Sequence, residues 1–525
     1  MKPLGAVACG HTETGKAAEL ILKEGGNAFD AIIAAFLTSC VVEPVLASLG
    51  GGGFLLAHTD DQRDSIYDFF VQTPKVMLPE DELDFYPIHA DFGTTTQEFH
   101  IGRASIATPG AVKGIFRIHD DLGSMPMSEL VQPAIAAARD GVRMSSFQAS
   151  ILNIIAPILT ATVESSLHYQ STRHDTASLI SSGELFKQPH VANFLEALAN
   201  EGSDLFYKGE IAQSITKLCA HGGGQLTKQD LADYQVVLRK PVSMSYQQHR
   251  VLTNPAPSCG GTLIAFALSM LEHANIGQHG FGSSQHLQLL AEVMKLTNEA
   301  RFEAHSGSSE QAALQHLLDA ELLKTYMEKI VGNGRSLRGT THMSVMDSKG
   351  NVAGLTVSNG EGCGHMIPDT GVMLNNMLGE EDLNSDGFYQ WPADRRMTSM
   401  MAPTLVISPQ GKKISLGSGG SNRLRTAILQ VLVNIIDFDK SLHDAVNRPR
   451  IHFENELLSI EPGFDADALR PLCKQFKNHK LWEQQNLFFG GVHAVTGHNG
   501  KFDGAGDQRR DGVATVVDSP IHSVW

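Results

Sequence analysis

The sequence predicts an α+β protein in which helices enclose a mainly antiparallel sheet, and three observations predict it. From Met127 to about Asn333, apolar residues recur at three- and four-residue intervals and the runs stop at glycine. After Thr340 short alternating segments take over, "HMSVMD", "NVAGLTVS", "TLVISP" and "KISLGSG". The first hundred residues mix the two signals. With 42% hydrophobic and 19% charged residues, the 525-residue chain can bury one large core or two to three ordinary ones.

In chain order, Thr12 is the expected cap of a helix whose Ala18, Ile21 and Leu22 share a face and which ends at Gly25-Gly26. A nearly all-apolar helix follows from about Ala28 to Val42 and should be buried on every side. The loop Gly50 to Gly53 in "SLGGGGFLLAH" lacks the Lys-Ser/Thr ending of a phosphate-binding loop, so its glycines are read as backbone packed tightly on a neighbour. "SELVQPAIAAARDG", "QPHVANFLEALANEG", "EIAQSITKLCAHGGG" and "SSQHLQLLAEVMKLTNEARFEAHSG" read as helices, and "NPAPSCGGTLIAFALSMLE" as a loop entering another. Residues 317–337 read as an exposed linker, and "NRLRTAILQVLVNIIDF" as a late helix among strands.

Bulk properties exclude several function classes. A formal charge of -16, without a Lys/Arg cluster, disfavours nucleic acid and anionic membranes as partners. The longest apolar run, Ala31 to Val42, is too short to span a bilayer. The six cysteines show no metal or redox spacing and read as reduced thiols. With no secretory leader recognised at the start, the expected location is the cytoplasm.

The chemistry concentrates in "RGTTHMSVMDSKGNVAGLTVSNGEG", residues 338–362. A hairpin turning about Lys349 pairs residues whose numbers sum to 698, which sets Thr340 opposite Ser358. A hydroxyl needs a base to become a nucleophile, and no Asp or Glu follows along this strand before Asp347. If the chain were cut between Gly339 and Thr340, the new α-amine, with a reference pKa near 8, would stand beside its own hydroxyl and could serve. Gly339 tolerates the twisted backbone that lets the Thr340 hydroxyl attack the preceding carbonyl. Spacing alone leaves a plain structural reading open, because Thr pairs are ordinary in strands and a serine can satisfy a buried backbone group.

The hairpin does not stand alone. "ILKEGGNAFDAIIAA", "VVEPVLASLGGGGFLL", "ATPGAVKG", "GGGQLTKQDLADY", "NPAPSCGG", "GVMLNNMLGEEDLN", "MAPTLVI", "SLGSGGSNRLRTAILQVLVNIIDF", "NLFFGGVHAV" and "DQRRDGVA" stand in one order along the chain. Together with "TTHMSVMDSKGNVAGLT" they resemble blocks of the γ-glutamyltranspeptidase (glutathione hydrolase) family of N-terminal-nucleophile enzymes. The resemblance implies a stacked αββα fold with two mainly antiparallel sheets between helical layers. It also implies self-cleavage into a large chain, 1–339, and a small chain, 340–525, which stay together as one intertwined unit. The implied reaction transfers an acyl group from an amide, glutathione in the family, to water or an amine, with no cofactor and no metal. By position Thr340 is the implied nucleophile and Ser358 stands where the family has a supporting threonine. Gly419 and Gly420 match the oxyanion glycines, Glu380 the acid that grips the substrate ammonium, and Ser399 the first of two serines near its carboxylate.

The chain also departs from that pattern. The second serine is Met400, Met377 replaces a glutamine or glutamate, and Gly360 replaces an asparagine. The arginine that clamps the glutamyl carboxylate is missing from "DFFVQTP", leaving Arg395, Arg396 or Arg423 as candidates to supply the charge. These gaps keep open an acylase acting on another acyl amide, such as a cephalosporin side chain or oxamate, and an unprocessed binding protein. His342 is read as a structural histidine, and Asp507 with Arg509 and Arg510 as a surface or interchain ion pair.

Overall fold

The computed structural model describes residues 2–91, 96–173, 178–305, 340–384 and 387–519. The expected linker at 317–337 and Gly339 lie outside the described residues. Two antiparallel sheets form the centre. The first orders its strands Val513–Asp518, Pro3–Cys9, Thr341–Asp347, Val352–Ser358, Gly52–His58, Asp64–Phe69 and Val237–Arg239. The second runs Lys501–Ala505, Gly491–His498, Lys413–Gly419, Thr404–Ile407, His249–Thr253 and Val242–Tyr246. Each sheet therefore joins strands from before and after Thr340.

The inner strands of the first sheet are buried on both faces because each face has its own cover. Val7, Leu55, Ala57, Val345 and Leu355 pack beneath the helices Thr12–Lys23 and Ala28–Val42. Ala6, Ala8, Phe54, Leu56 and Met346 point the other way and join the core of the second sheet. Helices Cys259–Ala274, Ser284–His305 and Arg423–Ile436 belong to that second core. The layers are thus helices, sheet, sheet, helices, as the resemblance implied.

Local chemistry explains the elements that carry the site. Asn27 and Asp30 form a reciprocal capping box that starts the apolar helix Ala28–Val42, and the helix stops at Glu43 before Pro44. Its terminal carboxylate thereby lands inside the protein. The first helix differs from expectation: His11, not Thr12, is the cap, with its ring nitrogen accepting from the Glu13 amide at 3.1 Å. The hairpin turn is held by Asp347, whose Oδ1 accepts from the amides of Lys349, Gly350 and Asn351 at 2.9 to 3.0 Å. Its register pairs Thr341 with Val357 and Met346 with Val352, the expected sum of 698.

The four-glycine loop is a packing device. A Cβ on Gly51 would lie 2.3 Å from the Ser358 carbonyl oxygen, and one on Gly53 would lie 2.4 Å from that of Thr356. Side chains here would push away the strand that ends at Ser358.

Candidate active site

The hairpin's open end and the start of helix Arg423–Ile436 converge on a pocket open to solvent. It is lined by Thr340, Ser358, Gly360, Glu380, Ser399 and Ser421 on its polar side. Phe70, Met377, Leu383, Met400, Met401 and Leu424 make the rest of the wall. The fold thus brings together Thr340, Ser358, Glu380, Ser399, Gly360 and Met400, which the sequence reading had named from distant stretches.

Each polar group is fixed by its element. Ser358 ends its strand and its Oγ accepts from the Gly360 amide at 3.1 Å. Gly360 has φ +61°, and a Cβ there would lie 2.1 Å from Asn376 Oδ1 and 3.1 Å from Glu380 Oε1. The expected asparagine therefore has no room, and Asn376 Oδ1 occupies the space while accepting from the Glu361 amide at 2.9 Å. Ser399 Oγ accepts from the Met401 amide at 3.0 Å, which shapes the loop carrying Met400 into the wall.

Gly419 ends the strand Lys413–Gly419 against the nucleophile candidate. A Cβ on Gly419 would lie 2.0 Å from the Thr340 carbonyl oxygen, so no other residue fits without displacing it. Gly420 follows with φ +115°, a conformation that disfavours side chains, and its carbonyl accepts from the Arg423 amide as the helix begins. Backbone amides at such a turn, next to the positive end of a helix dipole, suit a developing negative charge.

None of the three arginine candidates lines the pocket. Arg396 is spent on the Phe70 segment: it donates to the Phe70 carbonyl and the Tyr234 hydroxyl and lies 3.7 Å from Asp68. Arg395 is exposed. Arg423 donates to the Phe488 carbonyl at 3.1 Å and stacks over that ring. Among the described residues, the lining contains no Lys or Arg.

The surface or interchain placement expected for the Asp507, Arg509 and Arg510 ion pair needs correction, although Asp507 and Arg509 do pair. All three are buried, Asp507 completely, because the turn after strand Lys501–Ala505 folds under the second sheet. Asp507 meets Arg450 at 2.7 Å and Arg509 at 3.1 Å. Although burial opposes ionisation, those two guanidinium groups hold its carboxyl at about 2. Arg510 donates from Nη1 to the Thr340 carbonyl oxygen at 3.1 Å. Burial draws its own pKa down to about 10 against the pull of Asp507, Glu361 and Glu43, so it stays charged at neutral pH.

Sequence reasoning also missed Glu43. Its Oε2 accepts from the Thr341 hydroxyl at 3.0 Å and its Oε1 from the Thr14 hydroxyl at 3.1 Å. Burial raises its carboxyl to about 7, against those hydrogen bonds and the charge of Arg510. The acid is 298 positions from Thr341, and the only sequence signal was a Glu closing an otherwise apolar helix. His342 behaves as expected: it lies between the sheets, bonded to the Thr356 and Ser344 hydroxyls at 2.8 Å each, and burial holds it neutral. Ser344 reaches Ser415 of the second sheet at 3.0 Å, which ties the layers together. Among the described residues, no cluster of three His, Cys, Asp or Glu could hold a metal, and no helix is long and apolar enough to cross a membrane.

Comparison with known proteins adds independent findings. The family model for gamma-glutamyltranspeptidase matches residues 14–517. The glutathione hydrolase proenzyme of Escherichia coli (strain K12) is 30% identical over 520 residues, covering 93% of this chain and 87% of that protein. The acylase ACY 1 proenzyme of Pseudomonas sp. (strain SE83) is 28% identical over 540 residues, covering 98% and 93%. Among solved structures, cephalosporin acylase from Bacillus halodurans superimposes with TM-score 0.82 at 23% identity over 98% of this chain and 96% of that one, a likeness of fold. The Helicobacter pylori gamma-glutamyltranspeptidase chain gives 0.53 at 26% identity, covering 62% of this chain and 91% of that one.

Proposed function

The chain belongs to the gamma-glutamyltranspeptidase family, and from that premise we propose a self-processing amidohydrolase whose acyl group is not γ-glutamyl. In this reading the Thr340 hydroxyl attacks the Gly339 carbonyl, and water hydrolyses the resulting ester to free a carboxylate on Gly339 and an amine on Thr340. The small chain, 340–525, remains bound to the large chain, 1–339, through the sheets they share. In turnover the same hydroxyl attacks the substrate amide carbonyl and passes its proton to the α-amine. The amides of Gly419 and Gly420 receive the oxyanion, and Ser358 supports the nucleophile. The leaving amine takes the proton, and water or another amine releases the acyl group from threonine.

The observation that carries this choice is the pocket wall. A glutamyl α-carboxylate needs a cation, best a bidentate guanidinium, whereas Phe70, Met377 and Met400 offer only apolar surface. Burying an unpaired carboxylate against that wall costs several kcal/mol, about enough to forfeit the substrate. Glu380 and Ser399, both in the pocket, favour the second reading, a γ-glutamyl donor such as glutathione.

Two assays test the proposal. Denaturing electrophoresis should give two fragments meeting at Gly339/Thr340, and Thr340→Ala a single chain without activity. An intact wild-type chain, unchanged on long incubation, would instead identify a binding protein. Turnover of apolar acyl anilides should exceed that of the γ-glutamyl anilide at least tenfold; the reverse order selects the second reading.

A further inference from the structure

Arg510 is a buried cation placed against the residue that carries the chemistry. Its Nη1 donates to the Thr340 carbonyl at 3.1 Å. The same nitrogen would stand 3.0 Å from a Cβ on Gly419, and Nη2 3.3 Å from one on Gly420. A Cβ on Gly491 would come within 2.3 Å of Arg510 Cδ. Three glycines therefore leave the space this side chain fills. On the far side of the same backbone, Thr341 is tied by its hydroxyl to Glu43. The peptide group after Thr340 is held from two directions, by a cation at its carbonyl and an anion at the next side chain.

We propose that Arg510 is a positioning residue for the nucleophile, fixing the Thr340 peptide group for attack and using its charge to keep the amine made by cleavage free of an extra proton. The role rests on the reading above, in which that amine is the base. The carbonyl oxygen and nitrogen of one residue lie about 3 Å apart, so the guanidinium nitrogen at 3.1 Å from that oxygen stands within about 6 Å of the amine. A like charge at that range disfavours the ammonium form. During attack the hydroxyl proton moves to the amine as Oγ bonds the substrate carbon, and an amine already protonated cannot take it.

The other charges around this point set the expected size. Arg510 faces Asp507, Glu361 and Glu43 as anions and Arg450 as a cation. Asp507 is already compensated by Arg450 and Arg509. Glu380 shares the pocket with Thr340, and burial keeps His342 and His493 neutral. Glu43, bonded to Thr341 from the end of helix Ala28–Val42, opposes Arg510 as it ionises when pH rises through about 7.

The test is the pH dependence of kcat/KM for the mature wild type, Arg510→Gln, Arg510→Lys and Glu43→Gln. Each is first checked for thermal unfolding and, by mass, for a small chain beginning at Thr340. Arg510→Gln should raise the acid limb by about one pH unit and lower kcat about tenfold. Arg510→Lys should keep the limb near wild type while kcat falls, because an ammonium preserves charge but not the planar contact. Glu43→Gln should move the limb downward, and it carries the test alone if the Arg510 variants fold without cleaving. An unmoved limb in Arg510→Gln, an equal shift in Arg510→Lys, or an unmoved limb in Glu43→Gln would overturn the role. Activity in wild-type protein that never exposes Thr340 would instead overturn the underlying mechanism.

Discussion

The two ends of the pocket are built on different principles. At the reaction end, Gly419 leaves the Thr340 carbonyl no room for a side chain, buried Arg510 donates to that carbonyl, and Asp507 lies buried between Arg450 and Arg509. At the acyl end, Phe70, Met377 and Met400 are apolar side chains in the pocket wall. Backbone geometry and buried charge resist replacement, because each change leaves a clash or an orphaned ion. Loop side chains in a pocket wall can be exchanged one at a time. In the proposed reading, the contrast lets the reaction end stay fixed while the acyl wall changes.

Breaking the reaction end should cost most. Asp507→Asn leaves Arg450 and Arg509 without their shared carboxylate, and thermal or denaturant unfolding should show a loss of about 3 to 5 kcal/mol. Gly419→Ala forces a methyl into the Thr340 carbonyl. Turnover by the mature enzyme should fall about 10²- to 10³-fold with smaller change in stability. A normal rate in that variant would remove the glycine pair from the account.

Changing the acyl end should instead redirect the enzyme. Phe70→Arg places a guanidinium in the wall, and the ratio of γ-glutamyl to apolar anilide turnover should rise about tenfold with cleavage intact. The smallest effect concerns Glu43. Its folded pKa of about 7 lies above the ordinary 4.5, so its stabilising contribution is full below pH 4.5 and is lost as pH rises through 7. Melting temperatures of wild type and Glu43→Gln, compared from pH 4 to 8, should show the wild type losing ground across that window.

Much of this was legible in the sequence because its signals are local. Alternation about Lys349 gave the hairpin register, and the glycine run at 50–53 gave a close backbone approach. The meeting of Thr340 with Glu380 and Ser399 was readable only through the ordered family blocks, since no local pattern joins them. Glu43 and Arg510 escaped because their partners are 298 and 170 positions away, and an acid after a helix or an Arg pair near a C-terminus reads as surface. Thr12 was mistaken for a cap because His11, less usual in that place, supplies the acceptor.

The mass of the active protein reports the proposed cut most directly. Intact-mass analysis should find two associated chains, the smaller beginning at Thr340 and gaining the acyl group when mixed briefly with substrate. Full activity from an uncut chain, or from a small chain beginning at any other residue, would contradict it.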